Sequence, residues 1–253
     1  MNADDRSQLA VDLPPGARIV VVGLGGIGSA LLLPLCLFLH SLHLPLRVVL
    51  VDGDAYVPRD KIRQAFRGLG NKASVKAAEM LDLLGETEMT VVAVPEYLQP
   101  DNLSRILRAG DWVLLCVDNH PSRKLVADYC QTLDDVVLIS GGNDGFDPPR
   151  ERGTYGNVQV VIRTAGRNIT APLDKYHPEI ARPKGPLPHE LGCGELAESV
   201  GQIVFTNFAV SSAMANAFFA AACHSLTYQE VMLDILEARM LPHFPVARCG
   251  YTG

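Results

Sequence analysis

The sequence lacks the features that mark several common classes of protein. It has no excess of basic residues, because 22 Lys and Arg stand against 28 Asp and Glu, which gives a formal net charge of −6. An acidic chain of this kind does not favour general binding to nucleic acid. Residues 1–13 are polar and acidic, unlike a secretory signal peptide. We therefore expect a cytoplasmic protein with no nucleic-acid partner.

Uninterrupted apolar runs and paired cysteines are also missing. The longest apolar stretch, from Ala30 to Val51, is broken by prolines, histidines and an arginine. A buried helix followed by a buried strand explains this stretch better than a membrane span does. The six cysteines form no CxxC pair, which argues against a structural zinc site of that type. Scattered single cysteines fit a reducing compartment.

The chain has 253 residues, which is long enough for one large α/β domain. Residues 1–16 are expected to be a leader, and residues 17–253 a single domain. In its first half, residues 17–145, predicted strands and helices alternate, which predicts a doubly wound, mainly parallel, Rossmann-like sheet. The second half, residues 146–253, is expected to add antiparallel strands and a long apolar helix. Within this second half, residues 164–193 contain five prolines and are predicted to form a long functional crossover loop.

A glycine-rich turn is the organising feature of the chain. The short apolar run Ile19–Val22 is typical of a buried parallel strand. Four glycines follow within six positions, at Gly23, Gly25, Gly26 and Gly28. Glycine lets the backbone approach a ligand closely, and the free N–H groups of the following helix favour an anion. The turn predicts a phosphate site, with a tight ligand-free turn as the alternative.

Acidic residues follow two of the predicted strands. Asp52 and Asp54 come directly after the second strand, and Asp118 with Asn119 follows the fourth. Open parallel sheets bind ligands at the carboxyl ends of their strands, and an acid after the second strand often holds a ribose. Asp52 is therefore expected to bind ribose, with a turn-forming role before Gly53 as the alternative.

In their order and spacing, five features resemble the ThiF/MoeB/HesA superfamily, the adenylating module shared with ubiquitin-activating enzymes. They are the turn 23–28, Asp52-Gly53-Asp54, Arg63-Gln64, the helix start Asn71-Lys72, and Cys116-Val117-Asp118-Asn119 with Arg123. The resemblance covers about residues 17–145. It continues more weakly through the strand of Gln159, the segment 176–179, and the helix that holds Gln202 and Asn207.

The resemblance implies a role for each matching residue. The glycine turn packs on the α-phosphate region of ATP, Asp52 binds the ribose, and Asp54 is the second acid of that motif. Asp118 is the magnesium ligand, and Asn119 beside it belongs to the same cofactor site.

The resemblance also implies a set of groups around the phosphates. Arg63 reaches the ATP phosphates, and Gln64 accompanies it. Lys72 matches the lysine on the β- and γ-phosphates, with Lys76, one helical turn later, as the alternative. Together with Asp118 these cations would supply the catalytic electrostatics.

Three positions depart from the family pattern or lie at its margin. Asp60 stands where the family usually has asparagine, so an extra acid lies near the predicted phosphate site. Arg6 is the candidate for an arginine that some members donate across a dimer. Cys193 is the best-placed candidate for a thioester cysteine, with an ordinary loop cysteine as an equal alternative, and Cys249 is a weaker one. The remaining cysteines lie in apolar segments and are expected in the core.

The function implied by the resemblance is ATP- and magnesium-dependent adenylation of a carboxylate. The expected substrate is the C-terminal glycine of a small ubiquitin-like or sulfur-carrier protein, and the expected assembly is a homodimer. Two alternatives stay open from the sequence. The glycine turn and Asp52 would also serve NAD in a dehydrogenase, and a degenerate relative could bind a protein without catalysis.

Overall fold

The structure is a computed structural model that describes residues 10–58, 60, 65–147, 151–190 and 201–244. Six α-helices lie in this part of the chain: α1 Gly26–Ser41, α2 Lys72–Leu84, α3 Leu103–Ile106, α4 His120–Cys130, α5 Pro178–Ala181 and α6 Val204–Ala222. The strands here are β1 Arg18–Val22, β2 Arg47–Val51, β3 Ala55–Tyr56, β4 Gly70–Asn71, β5 Thr90–Val94, β6 Asp111–Leu115, β7 Val136–Asn143, β8 Phe146–Asp147, β9 Glu151–Arg152, β10 Tyr155–Thr164, β11 Arg167–Asn168, β12 Glu230–Asp234 and β13 Arg239–His243.

The central sheet has the strand order β13-β12-β10-β7-β6-β1-β2-β5, with β11 paired to β10. Strands β7, β6, β1, β2 and β5 pair in parallel, whereas β10, β12 and β13 are antiparallel. The prediction of a mainly parallel, Rossmann-like sheet extended by antiparallel strands is confirmed. The carboxyl ends of β1, β2 and β6 lie side by side, which brings the predicted site residues to one edge.

Two apolar layers cover the faces of the sheet. Because side chains alternate along a strand, Ile19 and Val21 of β1 pack on one face with α1, α2 and α6. Val20 and Val22 pack on the opposite face with α3, α4 and α5. Strand β1 is therefore covered on both faces, which explains why its β-branched residues form a continuous apolar run in the sequence.

Strand β7 ends later than the sequence predicts, because of contacts with residues that are distant in the sequence. The sequence pattern predicts a strand over residues 136–140 that ends at the pair Gly141 and Gly142, but β7 runs through both glycines to Asn143. A Cβ at Gly141 would lie 2.2 Å from the sulfur of Met214, and one at Gly142 would lie 2.1 Å from a guanidinium nitrogen of Arg123. These glycines make room for neighbouring side chains and do not end the strand.

The helices also differ in detail from the prediction. Helix-forming residues run from Ser29 to Leu42 in the sequence, which predicts a helix there, but α1 begins three residues earlier, at Gly26, and Pro34 lies inside it. The amphipathic pattern of residues 72–84 predicts α2 with the bounds observed and puts Val75, Met80, Leu83 and Leu84 on or near one face, but Leu83 is 46% exposed. The buried face is formed instead by Ala73, Lys76, Ala77 and Met80, together with Lys72.

The second half contains more regular structure than predicted. The segment expected to be a loop without regular structure includes β11, α5 and a short 3-10 helix at Pro188–Glu190. The pattern of residues 230–241 allows either a strand or a hairpin at the edge of the sheet, and the structure has the hairpin, formed by β12 and β13. Helix α6 is long and apolar enough to cross a membrane by length and composition alone, and half of its most apolar stretch is buried inside the protein.

Candidate nucleotide-binding site

The glycine turn between β1 and α1 combines tight packing with open space. Gly23 has a φ of 87°, and a Cβ there would approach the backbone of Cys116 to 3.0 Å. A Cβ at Gly28 would lie 1.9 Å from the carbonyl oxygen of Gly23, so the turn closes only with glycine at this position. A Cβ at Gly25, in contrast, would meet nothing within 4 Å. The backbone at Gly25 is thus open to a ligand.

Asp52 joins the end of β2 to the glycine turn. One carboxylate oxygen accepts the N–H of Leu24 at 2.6 Å, and the other accepts the N–H of Asp54 at 2.8 Å. Burial raises the pKa of Asp52 above its usual value, against the opposing effects of Lys72 and the two N–H donors. Each carboxylate oxygen has a second lone pair, so Asp52 can still accept hydrogen bonds from the two hydroxyls of a ribose.

Lys72 lies in the first turn of α2, where the helix dipole disfavours a cation. Its Nζ lies 2.5 Å from a carboxylate oxygen of Asp54, which compensates the charge. Asn71 caps the same helix through the N–H of Ser74 and donates to the carbonyl oxygens of Asp52 and Asp54 at 2.8 and 3.1 Å. The start of α2 is therefore fixed to the segment that carries the two acids.

Lys76 faces a different set of partners. Its Nζ donates to the carbonyl oxygen of Ala65 at 2.5 Å and to Glu79 at 2.7 Å. It also lines a cavity of about 700 Å³ that reaches Gly26 and Ser29. Lys72 thus points to the acids, whereas Lys76 points to this cavity.

Two tyrosines that the sequence analysis did not select help to build the site. Tyr56 donates to the carbonyl oxygen of Leu24 at 3.0 Å and stacks on Phe66, with ring centroids 4.4 Å apart. Tyr97 lies against Gly53, where a Cβ would come within 2.5 Å of its ring. An aromatic residue two positions after Asp54 was the only sequence signal for Tyr56, and Tyr97 carried none beyond its place just after β5.

The pKa of Tyr97 shows that three acids lie near its phenol. Burial raises the pKa of its phenol to about 12. The negative charges of Asp54, Asp52 and Asp118 add to this rise. Three carboxylates from the ends of two different strands therefore act on one side chain, as expected if they surround a common site.

Asp118 stands beyond β6 with its side chain exposed. The neighbouring Asn119 caps α4 by accepting the N–H of Ser122 at 2.8 Å, so at least its carbonyl oxygen has a structural role. Arg123 is buried on α4 and donates to the carbonyl oxygens of Val117 and Gly141 at 3.0 and 2.9 Å. Burial lowers the pKa of Arg123, an effect that Asp118 opposes. Arg123 thereby fixes the loop that presents Asp118.

The donor set suits magnesium held jointly with phosphates. Within the described residues, no group of three His, Cys, Asp or Glu side chains could hold a metal ion by itself. Mg²⁺ commonly uses one or two carboxylates together with substrate phosphates. Asp118 is exposed, and its carboxylate makes no hydrogen bond with the part of the chain that the structure describes. It fits the role of such a single carboxylate ligand.

Several predicted residues lie outside the described residues: Arg6, Arg63, Gln64, Cys193 and Cys249. Asp60, the acid at the family's asparagine position, is buried and accepts the N–H of Val57 at 2.9 Å. The cysteines expected in the core are placed as follows: Cys36, Cys116 and Cys130 are buried, and Cys223 is half-buried. Burial raises the pKa of each of the three buried thiols to about 12, which makes them poor nucleophiles.

The family model described as "ThiF family" matches residues 15–233, which is most of the chain. The chain belongs to the ThiF family. This confirms the resemblance on which the site residues were selected. It also removes the main basis for a nicotinamide dehydrogenase, because that alternative used only the glycine turn and Asp52.

Curated relatives of this ThiF family chain are named as adenylyltransferases. "Adenylyltransferase and sulfurtransferase MOCS3-1" of Zea mays is 30% identical over 133 residues, covering 52% of this chain and 27% of the relative. "Adenylyltransferase and sulfurtransferase MOCS3" of Mus musculus is 34% identical over 116 residues, covering 45% of this chain and 24% of the relative. The chain thus spans roughly a quarter of the length of these relatives.

Solved structures share the fold over almost the whole chain. MccB of E. coli, in a crystal structure with ATP, has a TM-score of 0.64 at 16% identity, covering 92% of this chain and 67% of its own. PaaA has a TM-score of 0.62 at 15% identity, covering 90% of this chain and 72% of its own. At this identity the likeness establishes the ThiF fold alone.

Proposed function

We propose that this protein is an adenylyltransferase that uses ATP to activate a carboxylate. Membership of the ThiF family and the names of the curated relatives support the reaction class. One observation of the site carries the proposal. The open glycine turn, the pair Asp54–Lys72 and the carboxylates of Asp52 and Asp118 converge on one edge of the sheet.

The reaction requires electrostatic stabilisation more than acid–base chemistry. A carboxylate oxygen of the acceptor attacks the α-phosphorus of ATP, and the bond from that phosphorus to the β-bridging oxygen breaks. Pyrophosphate leaves with the electron pair, and an acyl-adenylate forms. The attacking carboxylate is already ionised at neutral pH, so no side-chain base is needed. Negative charge grows on the leaving oxygens, where Lys72 or Lys76 and Arg63 would stabilise it.

Magnesium is part of the proposal. Asp118 would hold the ion together with the phosphates of the nucleotide. A bound Mg²⁺ would neutralise charge on the phosphate oxygens. Arg123 supports this role because it fixes the loop between β6 and α4 through two backbone carbonyls.

We further propose that the acceptor is the C-terminal glycine of a small ubiquitin-like or sulfur-carrier protein. The support is the order of the ThiF-type motifs and the long polar segment that follows β10. Residues 167–190 would cover the incoming C-terminal tail. His177 anchors this segment to the sheet, because its ring nitrogen lies 3.0 Å from Glu230 on β12.

A homodimer is the proposed assembly. Leu33 of α1, Leu83 of α2 and Phe208 of α6 are 42%, 46% and 53% exposed, and they line the same cavity. Exposed apolar patches of this kind are typical of protein interfaces. Sedimentation should show a dimer at micromolar concentration, and Phe208→Glu should shift it towards the monomer.

ATP–pyrophosphate exchange tests the proposed reaction. The purified protein is mixed with ATP, Mg²⁺, labelled pyrophosphate and small ubiquitin-like proteins that end in Gly-Gly. We expect exchange that depends on one such protein. In Asp118→Asn the rate of exchange should fall by a factor of about 100 or more, which is the usual effect of removing one group that stabilises charge in the transition state. The matched control is Asp128→Asn, which alters an exposed acid on α4 that pairs with Lys124. Undiminished exchange in Asp118→Asn would remove the magnesium assignment, and absence of ATP binding by the unaltered protein would refute the function.

A further inference from the structure

Asn207 on α6 is an exception to the rule that buried polar groups are hydrogen-bonded. The residue is 2% exposed, and among the described residues neither its side-chain nitrogen nor its side-chain oxygen has a hydrogen-bond partner. Most buried side-chain polar atoms in folded proteins do have a partner. An unpaired amide in the interior is unfavourable, so its presence calls for a role that the ligand-free fold does not reveal.

The amide of Asn207 lies directly against the glycine turn. A Cβ on Gly26, the first residue of α1, would come within 2.1 Å of the side-chain nitrogen of Asn207. Gly26 is therefore glycine because Asn207 occupies the space of a side chain. Val204 and Phe208, which flank Asn207 on α6, line the cavity of about 700 Å³ that also reaches Gly26 and Ser29. Asn207 does not itself line this cavity, so its amide lies behind Gly26, next to the residues that face the ligand-sized space.

The start of α1 presents donors without acceptors. The N-cap residue, Gly25, has no side chain that could accept a hydrogen bond from the first turn, and the first turn contains no acidic residue. The N–H of Ser29 bonds to the carbonyl oxygen of Gly25, so the N–H groups of the three residues before Ser29 have no acceptor inside the helix. Together with the dipole of α1, they favour an anion at this end. Asn207 adds an amide N–H at the same place.

We propose that Asn207 donates its side-chain N–H to an anionic oxygen bound at the start of α1. This inference rests on the proposed function, which brings two anions together here: a nucleotide phosphate and the carboxylate of the acceptor. The side-chain oxygen of Asn207 remains for a hydroxyl or N–H of the same ligand. Asn207 is thus a binding residue contributed to the glycine turn by the second half of the chain.

The binding test uses a graded set of probes. Calorimetry measures the affinity of ATP, AMP and adenosine for the unaltered protein, for Asn207→Leu and for the control Asn216→Leu, which changes an exposed asparagine on the same helix. For a phosphate contact we expect Asn207→Leu to weaken ATP and AMP by about 10-fold or more, the range of a hydrogen bond to a charged group. Adenosine and the control should stay within about twofold, the usual scatter for a distant surface substitution.

A second arm separates the two sources of the anion. NMR measures binding of glycylglycine, a carboxylate probe, in the presence of AMP. If ATP and AMP bind equally well to the unaltered protein and Asn207→Leu, but glycylglycine binds only to the former, the contact is with the acceptor carboxylate. If Asn207→Leu changes neither nucleotide nor glycylglycine binding, the inference is wrong while the proposed function stands. If the unaltered protein binds no nucleotide, both fail together.

Stability gives a readout that a structural asparagine would not produce. Leucine has nearly the shape of asparagine but no buried polar atoms, so Asn207→Leu should raise the melting temperature of the ligand-free protein. The increase in melting temperature on adding ATP should shrink in the same variant. A lower melting temperature of ligand-free Asn207→Leu, with an undiminished ATP effect, would show that the amide serves the fold and would overturn the inference.

Discussion

Replacement of Lys72 by methionine tests whether the acids at the site depend on one cation. The Lys72 side chain is 10% exposed and that of Asp54 is 41% exposed, so the pair lies between a buried and a surface ion pair. Removing one partner of a buried pair costs about 3–5 kcal/mol, whereas an exposed pair contributes about 0.2–1 kcal/mol. After allowance for solvent screening at Asp54, we expect Lys72→Met to lower the free energy of unfolding by about 1–3 kcal/mol.

This loss should depend on pH, because Lys72 also acts on Asp52. Burial already raises the pKa of Asp52, and Lys72 limits that rise. Without the lysine the folded-state pKa of Asp52 rises further, so the folded protein takes up a proton more readily than the unfolded chain does. The deficit of Lys72→Met should therefore be largest at neutral and alkaline pH. It should shrink as the pH falls towards the raised pKa of Asp52.

Urea denaturation and thermal melting between pH 5 and 8 measure this effect. A deficit of about 1–3 kcal/mol corresponds to a fall in Tm of about 2–12 °C for a domain of this size. Lys124→Met is the matched control, since it breaks the exposed pair with Asp128 on α4 and should change stability by no more than about 0.5 kcal/mol. In the double variant with Asp54→Asn, part of the loss should be recovered. Equal stability of Lys72→Met and the unaltered protein at pH 8 would refute the reasoning.

Two further predictions concern the glycine turn and the anchor of the crossover segment. Gly28→Ala should destabilise the protein by more than about 3 kcal/mol, because its Cβ would meet the Gly23 carbonyl at 1.9 Å. The Gly25→Ala variant should fold normally and bind ATP more weakly. A normal melting temperature of Gly28→Ala, or an unchanged affinity of Gly25→Ala for ATP, would contradict the proposed role of the glycine turn. The hydrogen bond to Glu230 raises the pKa of His177 against the effect of burial, and Glu179 adds to the rise. The ion pair between His177 and Glu230 is then complete below about pH 6.5 and is lost as the pH rises through the folded-state pKa of His177. Limited proteolysis of residues 167–190 should therefore be faster at alkaline pH than at acidic pH. The acceleration should be smaller in a Glu230→Gln variant, which lacks the ion pair at every pH.

The parts of the site that local sequence patterns encode were predictable. The run Ile19–Val22 followed by glycines defines a strand and a turn within one short segment. Asp52, Asp54 and Asp118 each follow an apolar strand directly. Because parallel strands share one carboxyl edge, their convergence follows from the fold class alone. Residue patterns therefore put these groups at one edge of the sheet, while their roles toward a nucleotide stay predictions.

The parts that depend on distant contacts could not be read from the sequence. A glycine pair after an apolar run predicts the end of a strand, but Gly141 and Gly142 make room for Met214 and Arg123, which come from separate helices. Leu83 has the periodicity of a buried residue, yet it lies at an open cavity. Asn207 lies in the helix through which the family resemblance continues, but its contact with Gly26 follows only from the packing of α6 on α1. In each case the deciding partner is far away along the chain.

Strand β7 is shared by the two halves of the chain. It pairs in parallel with β6 on one side and antiparallel with β10 on the other. Hinge bending between the halves would have to break one of these ladders, so they cannot open and close as separate lobes around a substrate. Any motion that admits or releases an acceptor must therefore occur in the connections above the sheet, while the edge that holds the acids stays rigid.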